Sequence, residues 1–298
     1  MNEQVHGDTD RHTASNEQSS STATAKQQDL LWEDIRHLGR ILGQVIREQE
    51  GDEVFNLVEN ARRAAFELHR GDGDIEKLTG LFRDIDPAEA SPVIRAFTHF
   101  ALLANLAEDL HEELGIEASL DAGDPPQDST LEATWQKLRD AKVSSSAIAD
   151  MMDHIEVVPV LTAHPTETRR RTVFDVQKHI TAAMRRRHEI QAAPMNARTA
   201  DRLAEIDADI RRRILTLWQT ALIRMNRPDI RDEVEVGLRY YQLSLLEAVP
   251  QINRDVVKHL RQLGGNKLPA NPTIRMGSWI GGDHDGNPVS YTHLTLPT

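Results

Sequence analysis

The spacing of apolar residues limits most strongly what this chain can fold into. It follows the period of an α-helix, and few segments show the pattern of a strand. Apolar residues recur every three or four positions along most of its length, as amphipathic helices require. Gly51 and the pair Gly264-Gly265 supply stop signals for helices, and Pro228 suits a helix start. The predicted helices cover residues 29–51, 52–70, 75–82, 93–114, 169–192, 199–223 and 229–263, and two short helices are predicted between residues 128 and 156.

Strand patterns are short and few. Residues 156–162 (EVVPVLT) are rich in β-branched side chains and too short for a helix, and residues 272–280 form a possible second strand. Residues 115–128 are predicted to form a surface loop, because Gly, Asp and a Pro pair break both periods. Residues 1–28 are predicted to be a disordered tail, since they contain almost no large apolar side chains. The fold class is therefore mostly α with a few short strands.

Composition narrows the class of protein. The 298 residues carry a net charge of −12 and no cysteine, which argues against non-specific nucleic-acid binding and excludes disulfides and thiolate catalysis. No apolar run approaches the roughly 20 residues that span a bilayer. Residues 1–150 carry −16 and residues 151–298 carry +4. We therefore expect a cytoplasmic protein whose basic residues, in the second part, either face an anionic ligand or form a solvated helix surface.

The first segment that could carry chemistry is residues 160–171, VLTAHPTETRRR. Pro165 disfavours helical backbone at His164, which is therefore held extended where the strand ends. Arg169, Arg170 and Arg171 would sit in the first turn of the following helix, where positive charge opposes the helix dipole unless an anion is present. The pattern indicates a phosphate or carboxylate site, although a histidine bonded in the core and arginines in solvent would also fit.

The second segment is residues 277–288, GSWIGGDHDGNP. Its glycines and the Asn-Pro pair indicate positive-φ turns and a close approach of the backbone to another group. Asp283, His284 and Asp285 lie on this loop. An EF-hand is excluded, because its glycine and its glutamate at position twelve are missing. The alternatives are a binding loop and an ordinary surface turn.

These two segments resemble, in order, two signature motifs of the phosphoenolpyruvate carboxylase family. Further stretches with the same resemblance are DIRHLGRILGQVIREQEG from residue 34, NLAE from residue 105, LWQT from residue 217 and GLRYYQLSLLEAVP from residue 237. The resemblance extends from about residue 30 to about residue 290.

The resemblance implies an enzyme that converts phosphoenolpyruvate and bicarbonate to oxaloacetate and phosphate with Mg2+ or Mn2+, supplying the tricarboxylic acid cycle. It implies the N-terminal part of an α/β barrel of the TIM type with many extra helices, an assembly of four identical subunits, and allosteric control. His164 matches the family's essential histidine, and Arg170, Arg171, Asp283, His284 and Asp285 match positions at the substrate pocket.

Three departures accompany the resemblance. The family's loop reads GGDRDGNP, whereas this chain has His284 in place of the arginine, which loses a bidentate contact to phosphate or carboxylate. Family members are several times longer, and their metal ligands lie in the part beyond this chain. Residues 291–298 do not resemble the family and are expected to be a non-native tail. We therefore expect residues 29–290 to be the N-terminal portion of the barrel domain, inactive alone.

Two other classes of protein stay open at this point. One is a helical interaction protein without catalysis, whose acidic first half binds a partner. The other is a different enzyme acting on a phosphorylated acid. Under all three hypotheses, neither nucleic acid nor a membrane is an expected partner.

Overall fold

The computed structural model of the chain describes residues 9–162, 171–221, 230–262, 269 and 271–280, with side chains from residue 28 onward except at 230 and 233. The helices are α1 (Thr9–His69), α2 (Ile75–Gly80), α3 (Pro87–Ala122), α4 (Leu131–Asp140), α5 (Ser145–Met152), α6 (Arg171–Gln191), α7 (Ala197–Trp218), α8 (Ile230–Tyr240) and α9 (Leu246–Gln262). The strands are β1 (Val160–Leu161) and β2 (Gly277–Ser278). The prediction of a mostly helical chain with few strands is confirmed.

The chain forms two compact units. The first consists of Met1–Asp121 with Arg171–Leu222, and the second of Ala122–Arg170 with Ile223–Thr298. Both units are therefore built from two separate stretches of the sequence. No helix among the described residues is long and apolar enough to cross a membrane.

Helix α1 has a break where the sequence predicts one. Gly51 has φ 88° and ψ 175°, so the backbone leaves the helical region there before the helix resumes. Glycine adopts this positive φ at no steric cost, which explains the stop signal in the sequence. The helix begins at Thr9, inside the segment 1–28. The disorder predicted for that segment stays a prediction, since its side chains lie outside the described residues.

Helix α3 is longer than the sequence predicts. Residues 115–122, expected to begin a surface loop, continue the helix, and Gly123 with φ 71° follows its last residue. Arg185 of α6 explains the extension, because its guanidinium bonds Glu113 at 2.6 Å and Glu117 at 2.9 Å, on either side of Gly115. The prediction of a loop from residue 115 is therefore wrong. The glycine that follows the end of α3 is Gly123, and not Gly115.

The first unit is a helical assembly around an aliphatic core. Helices α6 and α7 form a hairpin whose second helix is capped by Asn196 and Thr199, each accepting a backbone N–H from the other residue. The deepest core side chains come from four helices: Leu38, Val45, Leu103, Leu110, Ile180, Ala183, Ile210 and Ile214. This matches the low aromatic content of the chain, 4%.

The second unit has a smaller core. Helices α4 and α5 begin at the N-caps Thr130 and Ser144, whose hydroxyls accept backbone N–H groups three residues ahead. The core residues of this unit come from α4, α5 and α9: Trp135, Ile148, Met152, Val256 and Leu260. The Trp135 indole stacks on the His259 ring with 5.6 Å between centroids.

The single helix predicted for residues 229–263 is interrupted. A π-helical turn, Tyr241–Leu245, separates α8 from α9, and Pro250 lies within α9. Proline has no N–H to donate and its ring crowds the carbonyl four residues earlier, so a regular α-helix cannot run unchanged through this region. The helical content was predicted correctly, but its continuity was not.

Candidate active site

Strands β1 and β2 pair in parallel within the second unit. Val160 is paired with Gly277 and Leu161 with Ser278, and an isolated parallel bridge joins Val157 to Ile274. The Gly277 N–H donates to the Pro159 carbonyl at 2.9 Å, and the Trp279 N–H donates to the Leu161 carbonyl at 2.8 Å. A strand lies within each of the two predicted segments, 156–162 and 272–280, but each strand is only two residues long. Their carboxyl ends lie side by side.

Asn253 of α9 fixes the segment that leads into β2. Its side-chain carbonyl accepts from the Ile274 N–H at 3.0 Å, and its amide donates to the Ile274 carbonyl at 3.1 Å. Gly277 allows close contact between the strands, because a Cβ there would lie 3.1–3.2 Å from methyl groups of Val158 and Val160. Asn253 carried no motif that could have identified it in the sequence.

Both candidate motifs follow directly on these strand ends. His164 comes three residues after the end of β1, and Asp283 comes five residues after the end of β2. In parallel α/β folds, side chains that follow the carboxyl ends of neighbouring strands supply the active site. The five predicted site residues His164, Arg170, Asp283, His284 and Asp285 lie outside the described residues. Their roles therefore stay predictions.

Arg171 is the one predicted site residue that the structure describes. It is the first residue of α6, its side chain is 78% exposed, and its Nε lies 3.5 Å from the Asp175 carboxylate one turn on. That carboxylate offsets part of the unfavourable interaction between a cation and the helix N-terminus. Arg171 is accessible to a ligand, and its predicted substrate contact stays a prediction.

Sequence reasoning missed a buried polar cluster in the first unit. In this cluster His188 of α6 bonds the buried carboxylate of Asp34 at 2.6 Å. A signal was present in the helical period: Asp34 stands four residues before Leu38 on the apolar stripe of α1, and His111 stands four residues after Ala107 in α3. Polar residues at core-facing positions indicate a bonded internal cluster.

Comparisons with known proteins agree with the resemblance that the motifs show. The family model described as phosphoenolpyruvate carboxylase matches residues 31–298. The chain therefore belongs to the phosphoenolpyruvate carboxylase family.

Individual relatives cover nearly all of this chain. A phosphoenolpyruvate carboxylase of Corynebacterium glutamicum is 61% identical over 260 residues, 87% of this chain and 28% of the relative. One from Corynebacterium efficiens is 60% identical over the same length, again 87% of this chain and 28% of the relative. One from Mycobacterium leprae is 50% identical over 256 residues, which are 86% of this chain and 27% of the relative. The chain thus spans little more than a quarter of the length of these relatives.

Proposed function

We propose that this chain is the amino-terminal part of an enzyme that carboxylates phosphoenolpyruvate with bicarbonate to give oxaloacetate and phosphate. The observation that carries the proposal is the parallel pairing of β1 and β2, whose ends directly precede the two family motifs. Two loops that leave neighbouring strand ends can supply groups to a shared pocket. The membership of the chain in the family supports the choice of reaction.

The proposed chemistry moves negative charge between two anions. A bicarbonate oxygen attacks the phosphorus of phosphoenolpyruvate, the bond from phosphorus to the enol oxygen breaks, and carboxyphosphate and the pyruvate enolate form. Carboxyphosphate then releases CO2 and phosphate, and the enolate carbon attacks CO2 to give oxaloacetate. His164 would assist the formation of carboxyphosphate or stabilise it, as a fixed donor placed where charge develops.

The remaining motif residues would bind the substrates. Arg170 and Arg171 carry the positive charge expected opposite phosphate and carboxylate groups. Asp283, His284 and Asp285 would lie beside the same pocket, with His284 donating a single hydrogen bond where the family's arginine donates two. Exclusion of water from this pocket would protect the enolate from protonation.

The metal expected for the reaction is Mg2+ or Mn2+, which would stabilise the negative charge on the reacting oxygens when bound. The cluster of potential ligands in the described residues does not fit Mg2+, because Asp34 is accompanied by two histidines and Mg2+ prefers oxygen ligands. We therefore propose that the ligands of the catalytic metal belong to the portion of the relatives that this chain does not span.

We further propose that the two units become part of a TIM-type barrel enzyme with four identical subunits, acting in the cytoplasm to replenish the tricarboxylic acid cycle. Apolar side chains around the strands support the need for further chain: Val157 is 47% exposed, Val160 41% and Trp279 55%. Strand edges and apolar surfaces of this kind are normally covered in a finished α/β domain. The 298 residues alone are proposed to be inactive.

A chimeric enzyme tests the role of His164. Residues 31–290 of this chain replace the matching part of the Corynebacterium glutamicum relative, and oxaloacetate is followed by coupling to NADH oxidation through malate dehydrogenase. His164→Asn should lower kcat by at least about a hundredfold, because a positioned proton donor or charge stabiliser is lost.

The control is His179→Asn, which changes a histidine of α6 whose ring bonds the backbone of its own helix. This variant should retain the turnover of the parent chimera. A His164→Asn chimera that folds and turns over at a near-normal rate would contradict the proposed role.

A further inference from the structure

Three side chains from three helices of the first unit converge on one point. Asp34 of α1 accepts hydrogen bonds at its Oδ2 from the Nε2 atoms of His111 in α3, at 2.8 Å, and His188 in α6, at 2.6 Å. The side chains of Asp34 and His111 are 3% and 6% exposed, and that of His188 is 19% exposed. The two imidazoles meet edge to face, at 87°.

A buried carboxylate carries the negative charge at the centre of this cluster. Burial alone would raise the pKa of Asp34, but hydrogen bonds from His188 and His111 outweigh burial and lower it, so Asp34 is a carboxylate. Arg187 lies 3.7 Å from the other Asp34 oxygen, and its Nε is 3.3 Å from the Asp207 carboxylate. Arg40 adds a second guanidinium, since it bonds the His37 ring that bonds Asp207. Two carboxylates and two guanidiniums thus surround the cluster, and the Asp34 carboxylate is its anionic ligand.

We propose that Asp34, His111 and His188 form a binding site for a divalent transition-metal ion of the Zn2+ class. Their ligand atoms lie within 4.8 Å of one another. Two imidazoles and a carboxylate are a common donor set for Zn2+ and Co2+, and three protein ligands leave a fourth position for water. The site is distinct from that of the Mg2+ or Mn2+ expected for carboxylation, which calls for oxygen ligands.

Metal binding requires only a small expansion of the cluster. Zinc ligands at ~2.1 Å in tetrahedral geometry lie roughly 3.3 Å from one another, so the two O–N separations must grow by roughly 0.5–0.7 Å. The two imidazole nitrogens, which lie within 4.8 Å of each other, must reach a similar separation. Rotation of the three side chains can supply this, while the helices stay in place. Both histidines then carry their remaining proton on Nδ1. The partly exposed side of His188 offers a path for the ion.

Arg187 is the group that opposes the metal. Its guanidinium lies near both Asp34 and Asp207. When a metal ion binds Asp34, Arg187 therefore keeps Asp207 as an anionic partner. Replacing Arg187 with glutamine keeps all three ligands and removes the repulsion. Affinity for the metal should rise by at least about tenfold, because a like charge a few ångströms from the ion in a partly buried site is removed.

Cobalt titration of the 298-residue chain tests the proposal. Co2+ in a tetrahedral His2Asp site gives intense visible absorption bands, and we expect these bands to saturate at one ion per chain. His188→Gln and Asp34→Asn should each lower the affinity by at least about tenfold, with far-UV circular dichroism used to show that the fold is kept. His179→Gln, an exposed neighbour on α6, should bind Co2+ like the parent.

The absence of saturating tetrahedral bands in the parent would overturn the proposal. So would equal affinity in the parent and His188→Gln, which would place the ion at another of the 13 histidines. If both ligand variants unfold, Arg187→Gln decides the question: tighter Co2+ binding supports the site, and unchanged or weaker binding refutes it. None of these results depends on carboxylase activity.

Discussion

His99 makes the stability of the first unit dependent on pH. The residue lies in α3 with 1% of its surface exposed, its ring centroid is 5.7 Å from that of Trp218, and neither ring nitrogen has a hydrogen-bond partner among the described residues. Burial lowers the pKa of His99 to about 4 from 6.5, and the nearby Arg95 guanidinium adds to this shift. The buried ring is therefore neutral in the folded protein at neutral pH.

The lowered pKa of His99 makes the free energy of unfolding depend on pH through proton linkage. Because the folded pKa lies below the unfolded one, the unfolded chain binds more protons between about pH 6.5 and 4, so the free energy of unfolding falls as the pH falls. Each pKa unit corresponds to about 1.4 kcal/mol, so the full loss is about 3 kcal/mol, of which about 2 kcal/mol has occurred by about pH 5. Above about pH 7 this contribution is constant.

Replacing His99 with leucine removes the titrating group at similar volume. At about pH 8, His99→Leu should be as stable as the parent or about 1 kcal/mol more stable, because two unpaired polar atoms leave the core. At about pH 5 it should be more stable by a further ~2 kcal/mol. Urea unfolding followed by far-UV circular dichroism at both pH values measures this.

The control is His69→Leu, a change at an exposed position near the end of α1. It should keep the parent's dependence on pH, because this ring stays in solvent on folding. If His99→Leu shows the same loss of stability on acidification as the parent, burial of a neutral histidine at this position is refuted.

Three further changes have effects set by local contacts, each measurable by urea unfolding. Glu50→Ala should cost about 2 kcal/mol because the Arg95 guanidinium and the Trp218 indole N–H both lose their acceptor, whereas Glu48→Ala, which breaks an exposed ion pair, should cost less than about 1 kcal/mol; equal costs would contradict this. Ile210→Ala should cost about 2–5 kcal/mol at a fully buried position, and a loss below about 1 kcal/mol would contradict the packing. Trp135→Phe should cost under about 1.5 kcal/mol, because the buried indole N–H has no hydrogen-bond partner among the described residues, against about 3–5 kcal/mol for Trp135→Ala.

Local patterns in the sequence predicted the local structure well. The helices of both units follow the 3.6-residue period, and Gly51 and the strand before His164 were identified from residue types alone. The errors arose where a distant contact decided the outcome. Gly115 does not end α3, because Arg185 holds both sides of it through two glutamates. The π-helical turn before Pro250 has no counterpart in a hydrophobic period.

The contacts between distant segments could not be predicted from the sequence. Nothing in residues 156–162 and 272–280 specifies that the two strands are parallel neighbours, because pairing depends on the chain between them. The convergence of Asp34, His111 and His188 likewise depends on the rotation of three helices about their axes. The predicted site residues came instead from motif resemblance, and of these the structure describes Arg171 alone, exposed at the start of α6.

The most direct test of the central claim is oxaloacetate formation by this chain alone and in fusion with the remainder of the Corynebacterium glutamicum relative. We expect the purified 298 residues to show no turnover with phosphoenolpyruvate, bicarbonate and Mg2+, and the fusion through residue 290 to restore it. Turnover by the chain alone would contradict the claim that it supplies one part of the catalytic site. A well-folded fusion that produces no oxaloacetate would contradict the claim that this chain is the amino-terminal part of a phosphoenolpyruvate carboxylase.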